Sequence, residues 1–180
     1  MVEKREPTVR SQRETQARTA AEALAILEDV KDPEVPVLSV VELGIVRNVE
    51  VDAAADAVTV TVTPTYSGCP AMKVIEDEIG AALRAAGFGA VEVKTVYAPA
   101  WTTDWISEPA REKLRAYGIA PPGAVRAEQP VPLGPTVRAV ACPYCGSADT
   151  GIVSEFGATA CKSLHLCRAC RQPFEHFKAF

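Results

Sequence analysis

Residues 58–72, VTVTVTPTYSGCPAM, combine a strand, a loop and the beginning of a helix. Valines at 58, 60 and 62 alternate with threonines, which is typical of a strand with one buried face. A loop follows from Pro64 to Gly68, and Pro70 suits the first turn of a helix because its missing N–H is not needed there. The stretch therefore predicts that Cys69 lies at or near a helix N-terminus.

The surrounding sequence extends this stretch into a small domain. Branched residues between Val35 and Val62 indicate a β-hairpin around a polar turn at 52–56, and Gly87 ends the helix that begins near Pro70. The other predicted elements are a first helix from Thr19 that stops by Asp32, a third strand over 90–97, and a third helix over 109–117. This order predicts an α+β fold with a small three-stranded sheet and helices over residues 19–118.

Three further regions flank this domain. Residues 1–18 are almost entirely polar, which indicates a mobile N-terminal arm. Residues 119–136 contain five prolines and no periodicity, which indicates a Pro-rich linker. Residues 137–180 form a cysteine-rich tail.

The tail contains two Cys-x-x-Cys pairs separated by 21 residues, Cys142 with Cys145 and Cys167 with Cys170. Two such knuckles facing each other build the tetrahedral thiolate site that zinc prefers, so the tail is predicted to be a four-cysteine zinc ribbon. A structural zinc would also supply the folding free energy that so short a segment lacks. Iron in the same four-thiolate geometry, disulfides and a thioredoxin-like redox pair are the alternatives. Nearby cations, Lys162 among them, are available to offset the thiolate charge.

Composition excludes several classes of protein. The chain has 180 residues, a formal net charge of -4 and a pI near 5.3, so we expect no nucleic-acid partner. No apolar run approaches the roughly 18 residues needed to cross a membrane, and the N-terminus lacks a signal-peptide pattern, so we expect a cytoplasmic protein with no membrane partner. In a reducing compartment, clustered cysteines are metal ligands or reactive thiols more often than disulfides.

Cys69 is the candidate functional thiol. A helix N-terminus lowers the pKa of a thiol, so we expect a stabilised thiolate there; a buried, inert cysteine is the alternative. Asp32 and Glu34 place two carboxylates just after a helix C-terminus, where they oppose the helix dipole. Either a function requires them there, or Asp32 simply bonds the backbone of a turn.

Four motifs in the N-terminal domain resemble the iron–sulfur cluster assembly domain family that includes SufT. They are DPEVP at 32–36, VELGIV at 41–46, TPTYSGCP at 63–70 and PAW at 99–101. With the tail motifs SEFGATACK at 154–162 and PFEHFK at 173–178, the whole chain resembles the PaaD family, which is associated with phenylacetyl-CoA epoxidase in phenylacetate catabolism.

The resemblance implies an accessory protein with no catalytic residues of its own. Its expected partners are the iron–sulfur reductase or the di-iron oxygenase component of the epoxidase, which it would mature by delivering iron or an iron–sulfur cluster. The resemblance makes Cys69 the functional thiol, with Asp32 and Glu34 as neighbours. A structural or electron-transfer subunit of the monooxygenase complex is the alternative function.

Cys161 is a candidate second thiol. One thiol cannot hold a cluster, so a cluster or transient iron on Cys69 requires ligands from a homodimer partner, from the client or from another cysteine of the chain. Cys161 lies outside both Cys-x-x-Cys pairs, and the linker is long enough to bring the tail to Cys69. Packing of Cys161 as an ordinary strand residue is the alternative.

Overall fold

The structure is a computed structural model that describes residues 18–123 and 140–179. Most of the predicted arm and residues 124–136 of the predicted linker therefore lie outside the described residues. The elements follow the order α1 (Ala20–Leu27), β1 (Val46–Asp52), β2 (Ala57–Val62), α2 (Met72–Ala85), β3 (Ala90–Thr95), a 3-10 turn (Thr103–Trp105), α3 (Glu108–Ala116), β4 (Ile119–Ala120), β5 (Thr150–Ser154), β6 (Lys162–Cys167) and β7 (Pro173–Phe177).

The first sheet has three strands in the order β1-β2-β3, which confirms the predicted fold class. β1 and β2 pair as an antiparallel hairpin, and β2 pairs in parallel with β3 through the crossover helix α2. The valines of β2 are buried while its threonines and Ala57 are only half-buried, as the alternating pattern predicts. The apolar stripe of α2 packs into the same core because its residues recur every three to four positions: Met72, Ile75, Ile79 and Leu83.

Several predicted element boundaries shift by a few residues, including the end of β3 at Thr95 and the start of α3 at Glu108. α1 ends at Leu27, within the predicted limit of Asp32, and residues 31–39 form a loop closed by a bridge between Lys31 and Ser39. Strand β1 begins only at Val46, because Val40 turns back to pair its N–H with the carbonyl of Val30. The helix predicted from Pro70 begins at Met72, after a turn in which the Met72 N–H bonds the Cys69 carbonyl.

The second sheet has four strands in the order β4-β7-β6-β5. Its edge strand β4, at residues 119–120, was predicted to start the linker. The structure places these two residues in parallel register with Glu175 and His176 of β7. The pairing satisfies backbone groups that a free linker would leave to water, and it buries both side chains. We call residues 140–179 the ribbon.

The ribbon packs against the N-terminal domain through a shared core. Phe177 at the end of β7 is 1% exposed and lies in the same buried cluster as the core of the first sheet. Its ring centroid is 6.2 Å from that of Trp101, whose indole N–H donates to the carbonyl of Leu43. Trp101 is thus a core residue at the contact between the two parts. None of the helices within residues 18–123 and 140–179 is long and apolar enough to cross a membrane.

Candidate metal centre and thiol site

The four cysteines of the Cys-x-x-Cys pairs form one cluster at the end of the ribbon. Their sulfur atoms all lie within 4.8 Å of one another, and none is in a disulfide. The sulfur–sulfur distances are 3.7 Å between Cys142 and Cys170 and 3.6 Å between Cys145 and Cys167. A tetrahedral zinc site with Zn–S bonds of about 2.3 Å requires sulfurs about 3.8 Å apart. The donor set and its spacing therefore fit a tetrahedral metal ion, with these four thiolates as its ligands.

The two Cys-x-x-Cys knuckles that hold the cluster share the same backbone conformation and the same backbone hydrogen bond. In each, the residue after the second cysteine donates its N–H to the carbonyl of the first: Gly146 to Cys142 at 2.9 Å, and Arg171 to Cys167 at 3.0 Å. Both residues adopt positive φ, 74° for Gly146 and 63° for Arg171. Glycine takes this conformation without strain, whereas arginine carries a steric penalty that the closed knuckle must offset.

Cys69 lies in the turn that precedes α2 and is partly exposed. Its N–H bonds the carbonyl of Tyr66 at 3.2 Å, so the chain bends just before the cysteine. Gly68 supplies the positive φ of 88° that this bend requires, and the space where its side chain would point is open. The thiol is thus near a helix start and reachable by solvent.

The expected thiolate at Cys69 is not what the site favours. Burial raises the pKa of the Cys69 thiol above its ordinary value of 9.0, and the negative charges of Glu34 and Asp32 raise it further. The Ala71 N–H and the Thr65 side chain hydrogen bond the sulfur and lower the pKa, but they do not outweigh burial and charge. The prediction from the helix terminus was therefore wrong in direction, because it omitted the side chains that surround the turn.

Asp32 organises the loop on which Glu34 lies. It is 4% exposed, and its Oδ1 accepts hydrogen bonds of 2.8 Å from the N–H groups of both Glu34 and Val35. Burial raises the pKa of Asp32 even though these two bonds lower it. This is the turn-forming arrangement that the sequence left open as one of two alternatives.

Glu34 is the point at which the ribbon meets this loop. The Cys161 thiol donates to Glu34 Oε2 at 3.7 Å, and Lys162 Nζ donates to the Glu34 carbonyl at 3.2 Å. Burial raises the pKa of Glu34, and the charge of Asp32 raises it further. Burial also raises the pKa of Cys161, to about 11. The ribbon therefore brings Cys161 to one of the two carboxylates predicted as neighbours of Cys69.

Lys162 has a different role from the one predicted. Its side chain is 6% exposed and forms a 2.8 Å ion pair with Glu175. Glu175 also accepts a 2.8 Å hydrogen bond from the Ala158 N–H. Burial opposes ionisation of Glu175, but Lys162 and the Ala158 N–H together lower its pKa. Lys162 thus fastens the turn before β6 both to β7 and to the loop of Glu34.

Tyr66 is a neighbour of the thiols that the sequence analysis did not identify. Burial raises its pKa to about 12, and the charges of Cys69, Glu34 and Cys161 contribute in that order. The phenol therefore lies close to all three groups. Tyr66 is in the same loop as Cys69, but nothing in the residue pattern shows that this loop faces the ribbon.

The described site residues form two separate groups. Within residues 18–123 and 140–179, only the four ribbon cysteines bring three or more metal-ligating atoms within 4.8 Å of one another. The second group is Cys69, Glu34 and Cys161, with Asp32 behind them. The ligand atoms of these three do not all lie within 4.8 Å of one another. We call these three the junction site.

Two known families match the chain. The family described as iron–sulfur cluster assembly protein matches residues 20–95, and the PaaD zinc β-ribbon domain matches residues 127–178. A protein of Escherichia coli strain K12, provisionally named as a subunit of 1,2-phenylacetyl-CoA epoxidase, is 46% identical over 157 residues, 87% of this chain and 91% of that protein. The Fe-S protein maturation auxiliary factor YitW of Bacillus subtilis strain 168 is 40% identical over 95 residues, 51% of this chain and 88% of that protein.

A solved structure is similar to the N-terminal domain. The crystal structure of a domain of unknown function, DUF59, from Bacillus anthracis has a TM-score of 0.49 and 30% identity, and the match covers 53% of this chain and 90% of that one. The two family matches together extend from residue 20 to residue 178, and the Escherichia coli relative is matched over nearly its whole length. The chain therefore belongs to the PaaD family, with an iron–sulfur cluster assembly domain followed by a PaaD zinc β-ribbon.

Proposed function

We propose that this protein is an accessory factor of the phenylacetyl-CoA epoxidase system, and that it helps to mature the iron–sulfur reductase or the di-iron oxygenase by delivering iron or a cluster. The name of the Escherichia coli relative supports the epoxidase as the system served. The name of the Bacillus subtilis relative, a maturation auxiliary factor for Fe-S proteins, supports the kind of task.

One observation carries the proposal: the Cys161 thiol of the ribbon contacts Glu34, beside the partly exposed Cys69. Soft thiols with a carboxylate are suitable transient donors for iron, whereas a resident structural ion takes four thiolates. We therefore assign Cys69 as the functional thiol, Glu34 and Cys161 as its working neighbours, and Asp32 as the residue that holds the Glu34 loop. The ribbon cysteines hold a permanent zinc.

The proposed division of the chain follows from these roles. Residues 19–118 are the assembly-like domain that carries Cys69, and residues 137–180 are the zinc-bearing module that completes its site. β4 joins the two, because it leaves the first domain and pairs within the ribbon sheet.

The test is to produce the reductase and oxygenase components with and without this protein, and to measure iron and acid-labile sulfide in each. We expect one component to be present but metal-poor when the protein is absent, and equally poor with Cys69→Ser. Ser67→Ala, an exposed residue of the same loop, is the matched control and should restore the metal. Full metal content without this protein would contradict the proposal.

A second measurement separates maturation from electron transfer. Adding the purified protein to oxygenase and reductase that are already loaded should leave turnover unchanged. A rise in turnover under those conditions would instead favour the electron-transfer alternative.

A further inference from the structure

We propose that the junction site binds a single divalent cation of the Fe2+ class through Cys69, Cys161 and the Glu34 carboxylate, with one coordination position left open. The inference deepens the proposed function. It rests on that function only for the statement that the natural ion is iron delivered to a client protein. It assigns to the ribbon a direct ligand, Cys161, in addition to its own four-cysteine centre.

The donor atoms come from two parts of the chain that meet only in the folded protein. Cys161 Sγ is already 3.7 Å from Glu34 Oε2, a separation that a shared metal ion would bridge. Cys69 and Tyr66 pack against the buried cluster that contains Cys161, and the Tyr66 phenol lies close to both thiols and to Glu34. Two sulfurs and one carboxylate oxygen form a mixed donor set that suits first-row divalent ions.

The charge around the junction site favours a cation. Asp32 and Glu34 are the carboxyl groups within or directly behind it, whereas Lys162 forms its ion pair with Glu175 and donates only to the backbone carbonyl of Glu34. The negative charge of Asp32 and Glu34 also contributes to the raised pKa values of both thiols. A dication offsets it, and as the two sulfur–metal bonds form, the two thiol protons leave to solvent.

The site is incomplete, which suits an ion that must be released. Its three donors do not all lie within 4.8 Å of one another, unlike the four ribbon sulfurs. Binding therefore requires the Cys69 sulfur to approach the other two donors, and Cys69 lies in the loop between β2 and α2, outside the regular elements. With three protein ligands a tetrahedral ion keeps a fourth position, which a ligand from the client protein is able to occupy.

The geometry ties this site to the ribbon metal. Strand β6 begins at Lys162, directly after Cys161, and ends at Cys167, a ligand of the four-cysteine centre. Cys161 is also held in place by the Lys178 N–H, which donates to its carbonyl at 3.0 Å, and by the Thr159 hydroxyl at 3.0 Å from its sulfur. The second thiol is therefore presented to Cys69 only while the ribbon is folded.

The experiment uses the full-length, zinc-loaded, reduced protein and adds Co2+ as the probe under anaerobic conditions. Zinc is spectroscopically silent, so thiolate-to-cobalt charge-transfer bands and d–d bands report only bound cobalt. Zinc released to solution is measured in the same sample, which shows whether cobalt has replaced zinc in the four-cysteine site. We expect one cobalt ion per chain without zinc release, with an intensity that indicates two thiolates. Fe2+ should compete for the same site.

Variants identify the ligands. Cys69→Ser, Cys161→Ser and Glu34→Gln should each weaken cobalt binding by more than about tenfold, since loss of outer-shell partners alone costs that much. Glu112→Gln, an exposed acid on α3, is the matched control and should bind as the wild type does. Because Cys161 is buried, thermal unfolding of its variant is recorded, and Cys161→Ala provides a second, smaller replacement.

The outcomes separate the site from the function. The site would be overturned if the zinc-loaded protein binds no cobalt, or if the charge-transfer band persists unchanged in a folded Cys161→Ser protein. Either result would count even if epoxidase maturation depends on the chain. A cobalt site with the expected ligands supports the inference even if the epoxidase matures without this protein, in which case only the proposed function fails.

Discussion

Replacing Lys162 by methionine tests how much a buried ion pair within the ribbon stabilises the protein. Methionine keeps the length and apolar stem of the side chain but removes the charge. The Lys162 side chain is 6% exposed and its partner Glu175 is 24% exposed. Removing one partner of a buried ion pair costs about 3 to 5 kcal/mol, because the other charge stays buried without compensation. Glu175 keeps its hydrogen bond from the Ala158 N–H and is partly exposed to water. We therefore expect a loss at the lower end of that range, about 3 kcal/mol.

The chain offers a matched control in a second lysine–glutamate pair. Lys113 pairs with Glu42, and its side chain is 48% exposed, so Lys113→Met should cost less than about 1 kcal/mol. The double variant Lys162→Met/Glu175→Gln removes both buried charges and should recover much of the loss. Unfolding in urea at a fixed zinc concentration measures all four proteins. Equal costs for Lys162→Met and Lys113→Met would mean that burial does not strengthen the Lys162 pair.

The same pair predicts a pH dependence. Because the pKa of Glu175 is below its ordinary value of 4.5, the pair stabilises the fold above about pH 4.5. That stability is lost as the pH falls through the lowered pKa. The difference in stability between wild type and Lys162→Met should therefore shrink in acid, and a difference that grows instead would show that Glu175 is not the partner responsible.

Further expected outcomes concern the metal, the thiols and a histidine. Chelation of the ribbon metal should expose Cys161 to alkylation, measured by mass spectrometry; continued protection would mean that ribbon docking does not need the metal. Alkylation of the partly exposed Cys69 should keep accelerating above pH 9, since its pKa is raised, and a plateau below pH 8 would contradict this. Burial lowers the pKa of His176 to about 4, so the unfolded state protonates first and stability should fall as the pH drops from 6.5 to about 4. His176→Gln should reduce that loss, read from urea midpoints at pH 7 and pH 5; an identical loss would rule His176 out.

The sequence predicted those features whose cause lies within a few residues. Alternating valines define β2 and the stripe of α2 defines a buried helix face, because side-chain direction follows local backbone geometry. The two Cys-x-x-Cys pairs likewise carry their own geometry, since each knuckle closes over five residues. The turn at Asp32, one of two alternatives that the sequence left open, also depends only on near neighbours, the N–H groups of Glu34 and Val35.

Residue patterns alone were therefore enough for the parts of the molecule: an α+β domain with one candidate thiol and a tail with four metal-binding ones. The folded chain was needed to show that Cys161 meets Glu34, 127 residues away along the chain, and that Ile119 and Ala120 belong to the ribbon sheet. It also reversed the expected shift in the pKa of Cys69, because burial and carboxylates from other elements outweigh the nearby helix start. Electrostatics and desolvation depend on distance in space, and no local pattern encodes that distance.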